Sequence, residues 1–235
     1  MRFAGAPAVK VFRMADATLA VLPLVDEPEE LEAAIHPQEQ AQLESFGPLR
    51  RKTWLGGRSA LRAALAAHGV EFAGPILSTK RGAPDVGECA RVSISHKEQL
   101  AVALVADACA GSAVGVDVEL DVPTKIDIAR KILTDDELKQ LSLLAASERD
   151  RCVRTVFSIK EAIYKAIDPF VGRYVAFREV ELLTPIGLPA RSPLSPRLQL
   201  REPHPPLTVS AWWMTDAAAP GYLFAAATAS LTDRP

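Results

Sequence analysis

Two short stretches hold residues able to do chemistry on a charged substrate. In residues 156–165, VFSIKEAIYK, Glu161 and Lys165 stand at i and i+4 of an expected helix, so a carboxylate and an ammonium share one face. Val156, Phe157, Ile159, Ile163, Tyr164 and Ile167 recur at helical spacing on the other side. Such a pair reads either as a solvated surface pair, contributing a few tenths of a kcal/mol, or as part of a site. Lys160 bears on the choice, because its spacing from Val156, Phe157, Ile163 and Tyr164 turns it toward the apolar side. An unpaired ammonium there is costly. Either an anionic ligand meets Lys160, or its stem lies on the core and its head reaches water.

The second stretch is AVGVDVEL, residues 113–120, whose alternation reads as a strand. Asp117 and Glu119 flank Val118 and point to one face, where two like charges repel. One reading is a hard cation such as Mg2+, held by the carboxylates and by phosphate oxygens of a substrate. The other is an edge strand with a polar face.

The elements that must position these residues are those of a mixed α+β chain. With 235 residues, 49% of them hydrophobic, the sequence can bury a real core in one large or two small lobes. Its formal net charge of -2 removes a general case for nucleic-acid binding, although the basic clusters at 50–52 and 80–81 could hold a phosphate. Cys89, Cys109 and Cys152 have neither the number nor the spacing of a disulfide framework or zinc site, so a reducing, cytoplasmic setting is expected. Arg2, Lys10 and Arg13 precede an apolar run at 17–25, but Asp16, Pro23 and the acidic residues after it make a strand the better reading than a leader. No run has the roughly 18 to 20 apolar residues of a membrane helix.

Along the chain, 18–25 reads as a first strand, 38–46 and 50–69 as helices, and 78–86 as a Gly/Pro-punctuated loop. Strands follow at 91–96, 100–106 and 113–120. Residues 123–144 read as helical, with a capping-box start at Thr134, and 147–167 as a long helix ended by Pro169 and Gly172. A strand at 179–183, a Pro-rich excursion at 188–206 and a pair of strands at 207–214 and 222–230 complete the chain. The elements divide into halves, 1–112 and 113–235, without a sequence repeat strong enough to prove duplication. A ligand is expected at the seam between the halves.

With GVDVE at 115–119 and FSIKEAIYK at 157–165, some forty residues apart, the sequence resembles the Sfp-type 4'-phosphopantetheinyl transferases. SISH at 93–96 matches that family's motif ahead of the Asp-x-Glu strand, and VGRYVAF at 171–177 is similar to its enterobactin-synthase-component branch. The resemblance covers residues 50–183 and implies an α+β pseudodimer with the active site in the cleft. It implies transfer of the phosphopantetheine arm of coenzyme A to a serine of an apo acyl or peptidyl carrier protein, with adenosine 3',5'-bisphosphate released.

By the same resemblance, Asp117, Glu119 and Glu161 coordinate Mg2+ on the pyrophosphate, and Lys165 lies against the same phosphates. Ser95 and His96 reach the 3'-phosphate side of coenzyme A, with Arg51 and Arg58 as further phosphate contacts. Lys160 joins the coenzyme-binding candidates on its spacing, not on the resemblance. Where the family often has a lysine, this chain has Ala83, so Lys80 or Arg81 supplies that charge or it is absent. Attack by a serine hydroxyl on the β-phosphate needs the reactants held in line, charge neutralised on the leaving group, and a proton acceptor. Glu161 is the candidate base. An acidic carrier is expected to dock on residues 126–144, with Ile128, Ile132, Leu133, Leu138 and Leu141 partly exposed for it; the competing reading buries them in the core of two short helices.

A monomer is expected, serving fatty-acid, polyketide, nonribosomal-peptide or siderophore synthesis and binding neither nucleic acid nor membrane. Two other functions compete. A module that holds coenzyme A or a carrier without turnover would not need the full acidic set. Another Mg2+-dependent phosphoryl enzyme, such as a pyrophosphatase, is disfavoured by the lack of a Walker-type glycine loop.

Overall fold

The computed structural model of the protein describes residues 8–13, 16–24, 29–33, 35–122, 128–183, 193–201, 204–215 and 219–232. The chain divides into two compact units, Met1–Ala110 and Gly111–Pro235.

The first unit runs β1 (Lys10–Arg13), β2 (Ala17–Pro23), α1 (Glu29–Ala33), α2 (Pro37–Leu43), α3 (Pro48–His68), β3 (Leu77–Ser78), β4 (Pro84–Asp85), β5 (Arg91–Lys97) and β6 (Leu100–Ala106). Its main sheet is antiparallel in the order β1-β2-β6-β5. Helix α3 begins with Pro48, whose missing N–H costs nothing in a first turn. It ends at Gly69, which takes the left-handed conformation at φ 90° and donates its N–H back to Leu65 and Ala66. The helix packs on the sheet through Ala60, Leu61, Ala64 and Leu65 against Ala20, Leu22, Ala101, Ala103 and Val105. Gly56 and Gly57 let it come close, since a Cβ on either would meet Leu24 or Ile94 side chains.

The second unit runs β7 (Ser112–Leu120), α4 (Ala129–Ile132), α5 (Asp135–Leu143), α6 (Ala146–Val171), a 3-10 turn (Phe177–Glu179), β8 (Val180–Leu182), β9 (Pro196–Leu198), β10 (Leu207–Thr215) and β11 (Tyr222–Leu231). Its three-stranded antiparallel sheet has the order β10-β11-β7. The core joins Val156, Ile159, Ala162, Ile163, Ala166 and Ile167 of α6 to Val209, Ala211, Ala225, Ala227 and Ala229 of the sheet.

One topology is thus used twice: strand, long helix, then a hairpin whose second strand lies beside the first. It is β2, α3, β5, β6 in one unit and β7, α6, β10, β11 in the other. The fold is α+β, a pseudodimer of two such units.

Several local expectations change. Strand β1 pairs with β2 and was not foreseen, and the loop at 78–86 contains a small hairpin of β3 and β4. Pro169 does not end α6: it withholds the N–H that would reach the Lys165 carbonyl, yet the helix continues to Val171 and stops at Gly172, φ 64°. The helical reading of 123–144 resolves into α4 and α5, with 123–127, including Ile126, outside the described residues. Ile132, Leu133 and Leu141 are buried in the core, so they are not the partly exposed carrier contacts expected. Short amphipathic helices show one apolar face, and here that face turns inward.

Candidate active site

Strand β7 and helix α6 build the acidic cluster. Gly115 makes their approach possible, because a Cβ there would lie 1.9 Å from the Ala162 carbonyl oxygen and 2.8 Å from the Ala166 nitrogen. Only a hydrogen fits between the two backbones. Two and four residues further along the strand, on the same face, stand Asp117 and Glu119. Both are buried, at 6% and 8% exposure, which is costly for carboxylates unless they are paired.

The helix supplies the pairs. Asp117 accepts hydrogen bonds from Ser158 Oγ at Oδ2 (2.8 Å) and from Lys165 Nζ at Oδ1 (3.0 Å). Lys165 also donates to the Val116 carbonyl at 2.8 Å. Glu119 Oε2 accepts from Arg154 Nη1 at 3.4 Å. Arg154, Ser158, Glu161 and Lys165 fall three or four residues apart, as neighbours on one helix face do. Glu161 is half-buried, and burial pushes its carboxyl above the ordinary value. Lys165 opposes that shift, while the charges of Asp117 and Glu119 add to it. Glu161 therefore lies in the field of both strand carboxylates.

Those oxygens are the donor chemistry of a hard divalent cation, and the repulsion that Asp117 and Glu119 add to the burial of Glu161 is what such a cation relieves. As the side chains stand, however, no three acidic, His or Cys side chains among the described residues are gathered tightly enough to hold a metal ion. Lys165, Arg154 and Ser158 occupy carboxylate oxygens instead. The donor types fit Mg2+; the side chains would have to exchange these internal partners for it.

Lys160 does not meet an outside ligand. Its ammonium is fully buried and donates to Glu137 Oε2 (2.6 Å), the Ile132 carbonyl (2.9 Å) and the Phe177 carbonyl (3.2 Å), so all three of its N–H bonds are used inside the unit. Burial lowers its pKa and Glu137 raises it in opposition. The anion expected beside Lys160 is Glu137, and the coenzyme contact assigned to this lysine is withdrawn.

The first-unit candidates divide. Arg51 forks onto Glu32, with Nε and Nη2 each 2.5 Å from a carboxylate oxygen, and its Nη1 reaches the Leu43 carbonyl. Arg58 is 6% exposed, stacks over Trp54 with its guanidinium carbon 4.1 Å from the ring centre, and donates to the Ile76 carbonyl and Ser78 Oγ. Burial pushes it down to about 10, still protonated at neutral pH. These two guanidiniums have partners within their own unit, as Lys165 has in the second. Arg58 in particular ties down the root of the hairpin that carries the exposed Lys80 and Arg81. Ser95 is buried and His96 exposed, adjacent on β5.

The sequence reading missed Arg154 and Ser158. The signal for Ser158 was a hydroxyl one turn before Glu161 and two before Lys165 on the same helix face; Arg154 lay one further turn back.

Comparison with known proteins adds the family. The model of the 4'-phosphopantetheinyl transferase superfamily matches residues 113–208, and that of the 4'-phosphopantetheinyl transferase N-terminal domain matches 38–106. The chain belongs to the 4'-phosphopantetheinyl transferase superfamily. Among relatives of this superfamily, the 4'-phosphopantetheinyl transferase Svp of Streptomyces mobaraensis is 31% identical over 158 residues, 67% of this chain and 64% of Svp. The chain thus spans somewhat less than two thirds of that relative. The 4'-phosphopantetheinyl transferase Npt of Nocardia iowensis is 29% identical over 160 residues, 68% of this chain and 69% of Npt. The superfamily match contains all of Asp117, Glu119, Arg154, Ser158, Glu161 and Lys165, and the N-terminal match contains Arg51, Arg58, Lys80, Arg81, Ser95 and His96.

Proposed function

We propose that the protein moves the 4'-phosphopantetheine arm of coenzyme A onto a serine of an apo acyl or peptidyl carrier protein. The observation that carries this reading is the position of Glu161, half-buried in the combined field of Asp117, Glu119 and Lys165, within the stretch that matches the superfamily. In the reaction the serine oxygen forms a bond to the β-phosphorus, and the bond from that phosphorus to the bridging oxygen breaks. The electron pair leaves with adenosine 3',5'-bisphosphate, and the hydroxyl proton goes to a base. Glu161 suits that base, because burial and its acidic neighbours raise its affinity for a proton. Lys165, partly open to solvent, brings positive charge to the phosphates. Asp117 and Glu119, with Glu161, would hold Mg2+, which when bound neutralises charge on the pyrophosphate. On the coenzyme side, the proposed contacts are Ser95, His96 and the Lys80–Arg81 pair, together with Arg51 and Arg58.

Docking of an acidic carrier on α4 and α5 is supported by Leu143, 85% exposed, and by the exposed Arg130, Lys131 and Lys139. The three cysteines are free thiols, two of them exposed, which supports a reducing cytoplasmic setting, and we take the protein to act as a monomer. Among the described residues no helix is long and apolar enough to cross a membrane.

Intact-mass measurement of an apo carrier incubated with the protein, Mg2+ and coenzyme A tests the proposal. A phosphopantetheine increment on the carrier serine is expected. Binding of coenzyme A without that increment would indicate a non-catalytic module, and release of phosphate from pyrophosphate would indicate a different phosphoryl enzyme.

A further inference from the structure

Each unit contains a buried carboxylate at the third position of a short helix, and the two are wired alike. In the first, Glu39 of α2 is 0% exposed; its Oε2 accepts from the His36 N–H that caps the helix and from Arg62 Nη2 of α3, and its Oε1 accepts from the Ile76 N–H. In the second, Glu137 of α5 is 0% exposed; its Oε2 accepts from the capping Thr134 N–H and from Lys160 Nζ of α6, and its Oε1 accepts from the Leu182 N–H. Carboxylate and cation are 23 residues apart in both. The short helices start at Pro37 and Asp135 and the long ones at Pro48 and Ala146, so the two copies run in register. In that register the residue after the cation is Ala63 in one copy and Glu161 in the other.

The pair is therefore not itself a member of the acidic site, since the unit without that site has the same pairing. What it does mechanically follows from its bonds. Apolar packing of a helix on a sheet is non-directional, and α6 meets its sheet largely through alanine, valine and isoleucine. Beside the bonds that Ser158, Lys165 and Arg154 make to β7, the Lys160 ammonium, fastened to Glu137, Ile132 and Phe177, gives α6 a directional hold outside the acidic row. Buried ion pairs are poor sources of net stability, and their best-attested use is to specify register.

We propose that the Glu137–Lys160 pair is the positioning device that turns the neighbouring Glu161 toward Asp117 and Glu119. Lys160 is here a positioning residue: it touches no substrate and acts through the side chain one place along the helix. This inference deepens the transfer reaction proposed above and rests on it only for its kinetic test.

The test uses the full-length protein. The double variant Glu137→Gln/Lys160→Met removes both charges together, so no unpaired ion is left buried. It is expected to melt within a few degrees of the parent, with kcat for carrier modification down about tenfold or more and KM for coenzyme A changed by no more than about twofold. Lys160→Arg, which installs the cation the first unit uses, is expected to keep kcat within about threefold of the parent. A readout without turnover is the carboxyl-carbon resonance of Glu161 in 13C-glutamate-labelled protein, expected to move in the double variant and to stay in place in Lys160→Arg. If the parent transfers nothing, the functional reading fails while this resonance still decides the positioning. A folded double variant with parental kcat, or an unmoved Glu161 resonance in it, overturns the proposal. So does loss of folding in the double variant with Lys160→Arg unaffected, which would assign the pair to stability alone.

Discussion

The two units solve one packing problem in opposite ways. In the first, the row of β2 facing α3 continues through Ala20, Leu22 and Leu24, and close approach is bought on the helix by Gly56 and Gly57. In the second, the row of β7 facing α6 reads Gly115, Asp117, Glu119, and the glycine sits on the strand. Opposite the first row the helix presents Ala60 and Ala64; opposite the second it presents Ser158, Arg154 and Lys165. A duplicated scaffold thus holds a dry interface in one copy and a charged one in the other. The difference lies in a few side chains, each with a partner on the facing element, and the backbone plan is common to both.

The largest effect should come from forcing the charged pattern onto the dry unit. Leu22→Asp places a carboxylate at a site 1% exposed inside an all-apolar cluster, and we expect a loss of about 3–5 kcal/mol. Urea unfolding would register this; a midpoint close to the parent's would mean that the first unit tolerates buried charge and that the contrast is wrong. Next comes Gly115→Ala. Its methyl meets helix backbone rather than a flexible side chain, so strand and helix must separate, at roughly 1–3 kcal/mol. Thermal melting that leaves this variant unshifted would show that the two backbones are not in contact. The smallest effect is expected from Ser158→Ala, which removes one of the hydrogen bonds to Asp117 while the Lys165 bond stays, at about 1–1.5 kcal/mol. A cost above that of Gly115→Ala would make the hydroxyl, not the close approach, the main support of the charged row.

Much of this arrangement is visible from residue order. Alternation in 113–120 identifies β7 and puts Asp117 and Glu119 on one face, and helical spacing in 147–167 identifies α6 with Glu161 and Lys165 together. The partner of Lys160 was hidden because Glu137 lies 23 residues away on another helix and is recognisable from sequence only as a capping-box member. The duplication was hidden for a related reason. Between 36–68 and 134–166 only Glu39, Gln42, Leu43, Arg51 and Ala64 recur, as Glu137, Gln140, Leu141, Arg149 and Ala162. Arg62 and Lys160 do the same work with different residue types, so identity does not reveal them. The internal partners of Arg51 and Arg58 were hidden because a helical wheel does not show Glu32 or Trp54 meeting their guanidiniums. Burial of Ile132, Leu133 and Leu141 likewise depends on what α4 and α5 pack against, which spacing within short helices does not state.

The central claim is that the charged row of the second unit performs arm transfer, with Glu161 as its proton acceptor. The direct measurement is the initial rate of carrier modification by Glu161→Gln beside the parent protein, with both shown to melt at the same temperature. The account predicts a rate lower by about 10²–10⁴ for Glu161→Gln. A folded Glu161→Gln protein that modifies the carrier at the parental rate would contradict it.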